Sequence, residues 1–204
     1  GIKYSQANNT FTGPGITPWG GETWAGGSSS GSGSAVAAGL VPFAIGSETW
    51  GSIILPSANC GLSGLRPTYG RVSRHGAMAL SWTLDKPGPM CQTADDCGLI
   101  LEAISGPDGT DIAMTNRPYK YEQLGRKTFN IAVLKDATDD IDTEIRDAFI
   151  VATEQLGKMA TIEEVELPNY PYPAVTSAIF MSESASVLSN FAESQKSGEL
   201  TAPE

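Results

Sequence analysis

Residues 26–61 read GGSSSGSGSAVAAGLVPFAIGSETWGSIILPSANCG, and the fold turns on how this run is punctuated. Gly26–Ser34 reads as a Gly/Ser loop that enters a small-residue helix, Ala35–Ala38, which Gly39 can stop. Val41–Ile45 predicts a short apolar strand bounded by Gly39 and Gly46. The segment GSETWGSI then turns the chain, and Pro56–Cys60 opens a helical turn, because proline suits a first helical position.

Outward from this run, residues 1–25 are dense in turn chemistry, with Trp19 and Trp24 as apolar anchors. Gly64–Met90 predicts loops with a buried strand or two. Thr93 followed by Asp96 resembles a capping box and starts a helix over 94–105, ended by Gly106-Pro107. Phe129–Leu134 predicts a strand, Asp142–Lys158 an amphipathic helix, Ile162–Leu167 a second strand and Val175–Gln195 a second helix. That alternation argues for an α/β class.

Composition removes several functions. The chain has 204 residues and a formal net charge of −10. A net acidic balance argues against non-specific nucleic-acid binding, which needs clustered Lys and Arg. No run approaches the roughly 18 apolar residues of a membrane span, and no signal-peptide pattern opens the chain. The three cysteines, Cys60, Cys91 and Cys97, form no CxxC pair, and a metal reading is poor. Buried free thiols in a reducing compartment fit them better. Fifteen of the 23 glycines fall in residues 1–70, while 20 of the 23 acidic residues fall in 91–204. The first part therefore reads as a nearly neutral site region and the second as an acidic, solvated scaffold.

The Gly/Ser region admits several chemistries. GGSSSGSGS reads as a flexible linker or as a loop at a helix N-terminus able to hold phosphate. The turn at 46–53 can present consecutive backbone N–H groups beside Ser52, as an oxyanion hole requires, or its serine can merely cap the turn. His75 is the only histidine. Between Arg74 and Gly76 it reads as a surface or turn residue, yet any histidine-based triad would have to use it.

Motif order narrows this. The chain offers GGSSSGS at 26–32, GSETWGSI at 46–53, PSANCG at 56–61, GLRPTYGRVSR at 64–74 and LDKPGPM at 84–90. In that order they resemble the amidase signature family of serine hydrolases, over about residues 17–111. The resemblance implies an α/β/α sandwich around a mixed sheet, incomplete here. Residues 1–204 would then be a partial amidase domain, with a signature core at about 17–111 and a peripheral α/β segment at 112–204. It implies hydrolysis of a carbon–nitrogen bond by a Ser-cisSer-Lys mechanism. Ser52 falls at the acyl-ester nucleophile, and Ser28 at the bridging serine that follows a cis peptide. The backbone amides of Thr49, Trp50 and Gly51 fall at the oxyanion hole. No cofactor and no metal are implied.

Three departures matter. Lys3 is the sole lysine before Lys86, and its setting does not match the family's lysine segment, so the catalytic Lys is expected outside this chain. The chain accordingly reads as a fragment lacking the N-terminal Lys segment and the C-terminal part. Trp50 stands where many members have glycine and adds bulk beside the oxyanion hole; Ile54 stands where many have arginine, and that lost guanidinium favours a general amidase. The expected partner is a small-molecule amide, with no nucleic acid or membrane, in a cytoplasmic protein that is a homo-oligomer or alone. The alternative is the glutamine-hydrolysing A subunit of the aminoacyl-tRNA amidotransferase, bound to its partner subunits. A second alternative is an inactive fragment or scaffold.

Overall fold

In the computed structural model, residues 14–20, 23–117, 119–122, 129–194 and 196 are described. The Gly/Ser run turns helical earlier than its composition suggests: α1 spans Ser30–Ala37, not Ala35–Ala38. Tertiary contacts override weak propensity here. A Cβ at Gly33 would lie 3.2 Å from Cys60 Sγ, so the absent side chain lets α1 pack closely on α2 (Ile54–Cys60). The hydroxyls of Ser32 and Ser34 donate outward, to the carbonyls of Ile45 (3.0 Å) and Ile16 (2.6 Å). The segment is thus an ordered helix, not a linker.

The strand expected at 41–45 is shifted: β1 is Phe43–Glu48. It pairs antiparallel with β3 (Lys86–Cys91), which also pairs with the two-residue β2 (Ser63–Gly64), giving the order β1-β3-β2. A central strand reading KPGPMC is unusual, because proline cannot donate to a ladder. The register resolves this. Lys86, Gly88 and Met90 face Glu48, Gly46 and Ala44, while Pro87 and Pro89 take the alternating positions. The Pro89 carbonyl points to the other side, accepting from the Leu65 N–H at 3.0 Å. The prolines therefore fall where no N–H toward β1 is needed.

Behind the sheet, α3 (Ala94–Ile104) starts as its sequence predicts, with Thr93 accepting from the Asp96 N–H. Ile53, Met90, Val36, Cys60 and Cys91 are completely buried and, with Cys97 and Leu101, make the core. All three cysteines are free and buried. Trp19 is two-thirds exposed and anchors its loop by a hydrogen bond rather than by burial, its Nε1 donating to the Cys60 carbonyl at 2.7 Å. Lys3 and part of the irregular run 1–25 lie outside the described residues, as does Gln195.

The chain divides into two units, Gly1–Tyr121 with Pro173–Glu204, and Glu122–Tyr172. The second is a strand–helix–strand of β4 (Phe129–Leu134), α4 (Thr143–Gly157) and β5 (Ala160–Val165), with β4 and β5 parallel in register Phe129↔Ala160. Helix α5 (Tyr172–Glu193) joins the first unit from Pro173 onward. There Glu183 accepts from Thr83 Oγ1 at 2.7 Å, from the Thr83 N–H and from Ser81 Oγ. The class is mixed α/β. No helix among the described residues is long and apolar enough to cross a membrane.

Candidate active site

The site begins where the loop before α1 meets the end of β1. Gly26 has φ +81°, and a Cβ there would sit 2.8 Å from the backbone of Pro56, so only glycine fits. The next peptide, Gly27–Ser28, is cis. Ser29 then fastens this loop to the opposite segment three times. Its N–H donates to the Ser52 carbonyl at 3.3 Å, its hydroxyl donates to the Ser47 carbonyl at 3.3 Å, and the same oxygen accepts from the Ser47 N–H at 3.2 Å. Ser28 and Ser52, 24 residues apart in sequence, are thereby held on adjoining strands of backbone.

The turn between β1 and α2 is built on a buried carboxylate. Glu48 is completely buried. Its Oε2 accepts from the N–H groups of Ile53 (2.8 Å) and Ile54 (3.0 Å), and its Oε1 from Arg66 Nη1 (3.1 Å). These bonds pull the chain back on itself just after Ser52. Gly51 takes φ +96° to complete the reversal. The N–H groups of Thr49, Trp50, Gly51 and Ser52 donate to no backbone acceptor among the described residues. From the other side Asp85 accepts from Thr49 Oγ1 at 2.5 Å and from the N–H groups of Leu80 (2.8 Å) and Ser81 (3.0 Å).

Beside this turn lies a cavity of about 600 Å³ whose wall includes Ser28, Ser47, Thr49, Asp85 and Lys86. That is a volume suited to a small molecule. Ser52 stands next to Thr49's turn but is not part of this wall. In the same wall, Arg74 grips Asp111 bidentately, Nε to Oδ2 at 2.9 Å and Nη2 to Oδ1 at 3.0 Å. The pairing holds the Asp111 carboxyl far below the usual carboxylate range. His75 is exposed and also lines the cavity, and its backbone N–H donates to Ser73 Oγ.

A family model described as Amidase matches residues 2–202. The chain belongs to the amidase family. It is 44% identical over 174 residues to the glutamyl-tRNA(Gln) amidotransferase A subunit of Chromohalobacter salexigens, covering 81% of this chain and 35% of that relative. Among solved structures it resembles the corresponding A subunit of Thermotoga maritima, with TM-score 0.79 and 36% identity over 84% of this chain and 39% of that one. It also resembles a chain from a vestigial protein complex tied to the evolutionary origins of an s-triazine catabolic enzyme. There the TM-score is 0.83 and the identity 31%, over 97% of this chain and 44% of that one. The chain thus spans little more than a third of the curated relatives it matches.

Two residues of this candidate site carry no clear signal in the sequence. Glu48 escaped because the strand was expected to stop at Ile45. Continued to residue 48, Glu48 shares the inward parity of Gly46, and a carboxylate there signals a buried, paired anion. Asp85 sits in the LDKPGPM motif, but nothing local reveals that it braces Thr49. The two departures have plain surroundings: Trp50 is half-exposed with its ring 6.5 Å from that of Phe180, and Ile54 is half-exposed.

Proposed function

We propose that this chain supplies the nucleophile and the oxyanion-binding turn of an enzyme that hydrolyses the carbon–nitrogen bond of a small amide. Ser52 is the acyl-accepting nucleophile, Ser28 relays its proton, and the backbone N–H groups of Thr49, Trp50 and Gly51 receive the oxyanion. A serine hydroxyl is a weak nucleophile until its proton is removed. As Ser52 Oγ bonds to the amide carbon, its proton passes to Ser28, whose own proton moves to a lysine kept neutral by burial. No residue of this chain is assigned as that lysine. The carbonyl electron pair moves onto oxygen, where one well-placed donor contributes about 3 kcal/mol to the transition state. The C–N bond then breaks, nitrogen takes the proton back and leaves as ammonia or an amine, and water hydrolyses the ester by the same route.

The observation that supports this most directly is the three-bond tie of Ser29 to Ser47 and Ser52, beside a turn whose N–H groups have no backbone acceptor among the described residues. The test is labelling of the protein from its complete reading frame with a fluorophosphonate, mapped by peptide mass spectrometry. The label is expected on Ser52 and absent in Ser52→Ala; labelling unchanged in that variant defeats the assignment. Ser28→Ala should cut the rate by orders of magnitude, and a loss below about tenfold, roughly 1.4 kcal/mol, would mean that Ser28 relays no proton.

A second reading, glutamine hydrolysis within an amidotransferase, is favoured by the 44% identity to a glutamyl-tRNA(Gln) amidotransferase A subunit. Ammonia release from glutamine that appears only with partner subunits supports it. Release from simple amides by the protein alone supports the first.

A further inference from the structure

Four charged side chains line the cavity beside Ser28, and three of them are already satisfied. Arg74 gives Nε and Nη2 to Asp111 and Nη1 to the Trp82 carbonyl, and its guanidinium lies 4.7 Å over the ring of Tyr69. Asp111 is consumed by that pair and by the N–H groups of Arg74 and Ala113. Asp85 is consumed by Thr49, Leu80 and Ser81. The fourth is Lys86. Its Nζ donates to the Leu84 carbonyl, and no carboxylate among the described residues comes within ion-pair distance of it.

The neighbourhood explains why. Lys86 faces Glu48 across the β1–β3 ladder. Both oxygens of Glu48 are occupied, by Arg66 and by the Ile53 and Ile54 N–H groups. An ammonium has three donors, so two remain for something else. Burial, and then the like charge of Arg66, push the Lys86 pKa below its ordinary value against the pull of Glu48 and Asp85. The cavity wall thus holds a half-buried cation with no carboxylate in contact among the described residues, on the strand paired with that of Ser47, and Ser28 lines the same wall. A small anion entering the cavity would gain a charge-assisted hydrogen bond and relieve that desolvation.

We propose that Lys86 is a specificity-determining residue that binds a carboxylate on the amide substrate, so that the enzyme selects small amides bearing an anionic end. This rests on the reading of Ser52 and Ser28 as the reacting pair. Lys86 is left out of the proton relay; its ammonium binds the part of the substrate that does not react.

The experiment compares succinamate with succinamide, which share a skeleton and differ in one carboxylate, on the protein from its complete reading frame. The expected kcat/KM ratio favours succinamate, and Lys86→Gln lowers that ratio about 10- to 100-fold, mainly through KM for succinamate, the size of one charge-assisted bond in a half-buried site. Lys86→Arg restores most of the ratio, as a merely structural lysine would not require. No preference in the wild type, or a ratio unchanged in Lys86→Gln, overturns the proposal. If neither amide turns over, protection of Ser52 against fluorophosphonate supplies the same ratio, and equal protection by both overturns it too. Failure of the underlying reading looks different: Ser52→Ala would then keep both turnover and label.

Discussion

Glu48→Gln removes a charge and almost no volume, at the residue that shapes the turn after Ser52. The native carboxylate accepts two backbone N–H bonds, at 2.8 and 3.0 Å, and a third from Arg66 at 3.1 Å, with no exposure to water. In the variant the amide oxygen can keep the Ile53 and Ile54 donors, but both bonds become neutral, a loss of about 1 kcal/mol each. The amide nitrogen then faces the Arg66 guanidinium, donor against donor. Arg66 is half-exposed and can turn to water, so its pair counts for only about 0.5 kcal/mol. The total is about 2–3 kcal/mol, which lowers Tm. Because Ile53 and Ile54 directly follow Ser52, the loosened bonds also shift the turn N–H groups, and kcat should fall more than KM rises. Thermal unfolding and steady-state kinetics of the complete protein measure both. A variant within about 0.5 kcal/mol of wild type in stability and twofold in kcat would refute the view that this charge holds the turn.

Gly26→Ala should destabilise by about 2–4 kcal/mol, since it adds left-handed strain and a contact at 2.8 Å with the unyielding Pro56 backbone, and chemical denaturation reads this directly. Asp111 has its folded pKa depressed by Arg74, so its contribution to stability is complete above the ordinary carboxylate pKa of about 4 and is lost as pH falls below it; Asp111→Asn should flatten that acid limb in a stability–pH series. Cys60, Cys91 and Cys97 are buried, and burial, reinforced by Cys97, pushes the Cys91 thiol up to about 12, so a thiol reagent at pH 8 should modify none of them before unfolding. Rapid native labelling of Cys91 would contradict that burial.

Motifs and periodicity located most elements, and where they failed a distant contact had decided. The Thr93 cap, β4 and α4 were legible because their signals are local: a capping hydroxyl, an apolar run and an amphipathic period. The start of α1 was not, because residues 30–34 are helical only by virtue of Cys60, Ile45 and Ile16, all far along the chain. β3 was read only as one of the strands expected within Gly64–Met90, since its pattern is interrupted by prolines whose harmlessness depends on register. The site divides the same way. Ser28 and Ser52 stood out through ordered motifs, whereas Glu48, Asp85 and Lys86 act through partners that only folding supplies.

Those three residues also show why the turn tolerates change at its outer positions. Ser52's segment is held by bonds to backbone N–H groups, from Glu48 behind it and from the Ser29 N–H to the Ser52 carbonyl, and by Asp85 bracing the Thr49 hydroxyl. None of these bonds involves the side chain of residue 50 or 54. Trp50 and Ile54 can therefore differ from the glycine and arginine of many family members without loss of the N–H array, and both are half-exposed. The charge that many relatives place at residue 54 is absent from this turn. The cation nearest Ser28 comes from the strand paired with β1, as Lys86, which lines the same cavity and gives one bond to the Leu84 carbonyl. Because Lys86 lies directly opposite Glu48 in the β1–β3 pairing and feels its charge, substitutions at residues 86 and 48 should be non-additive, and a double-mutant cycle measures that coupling.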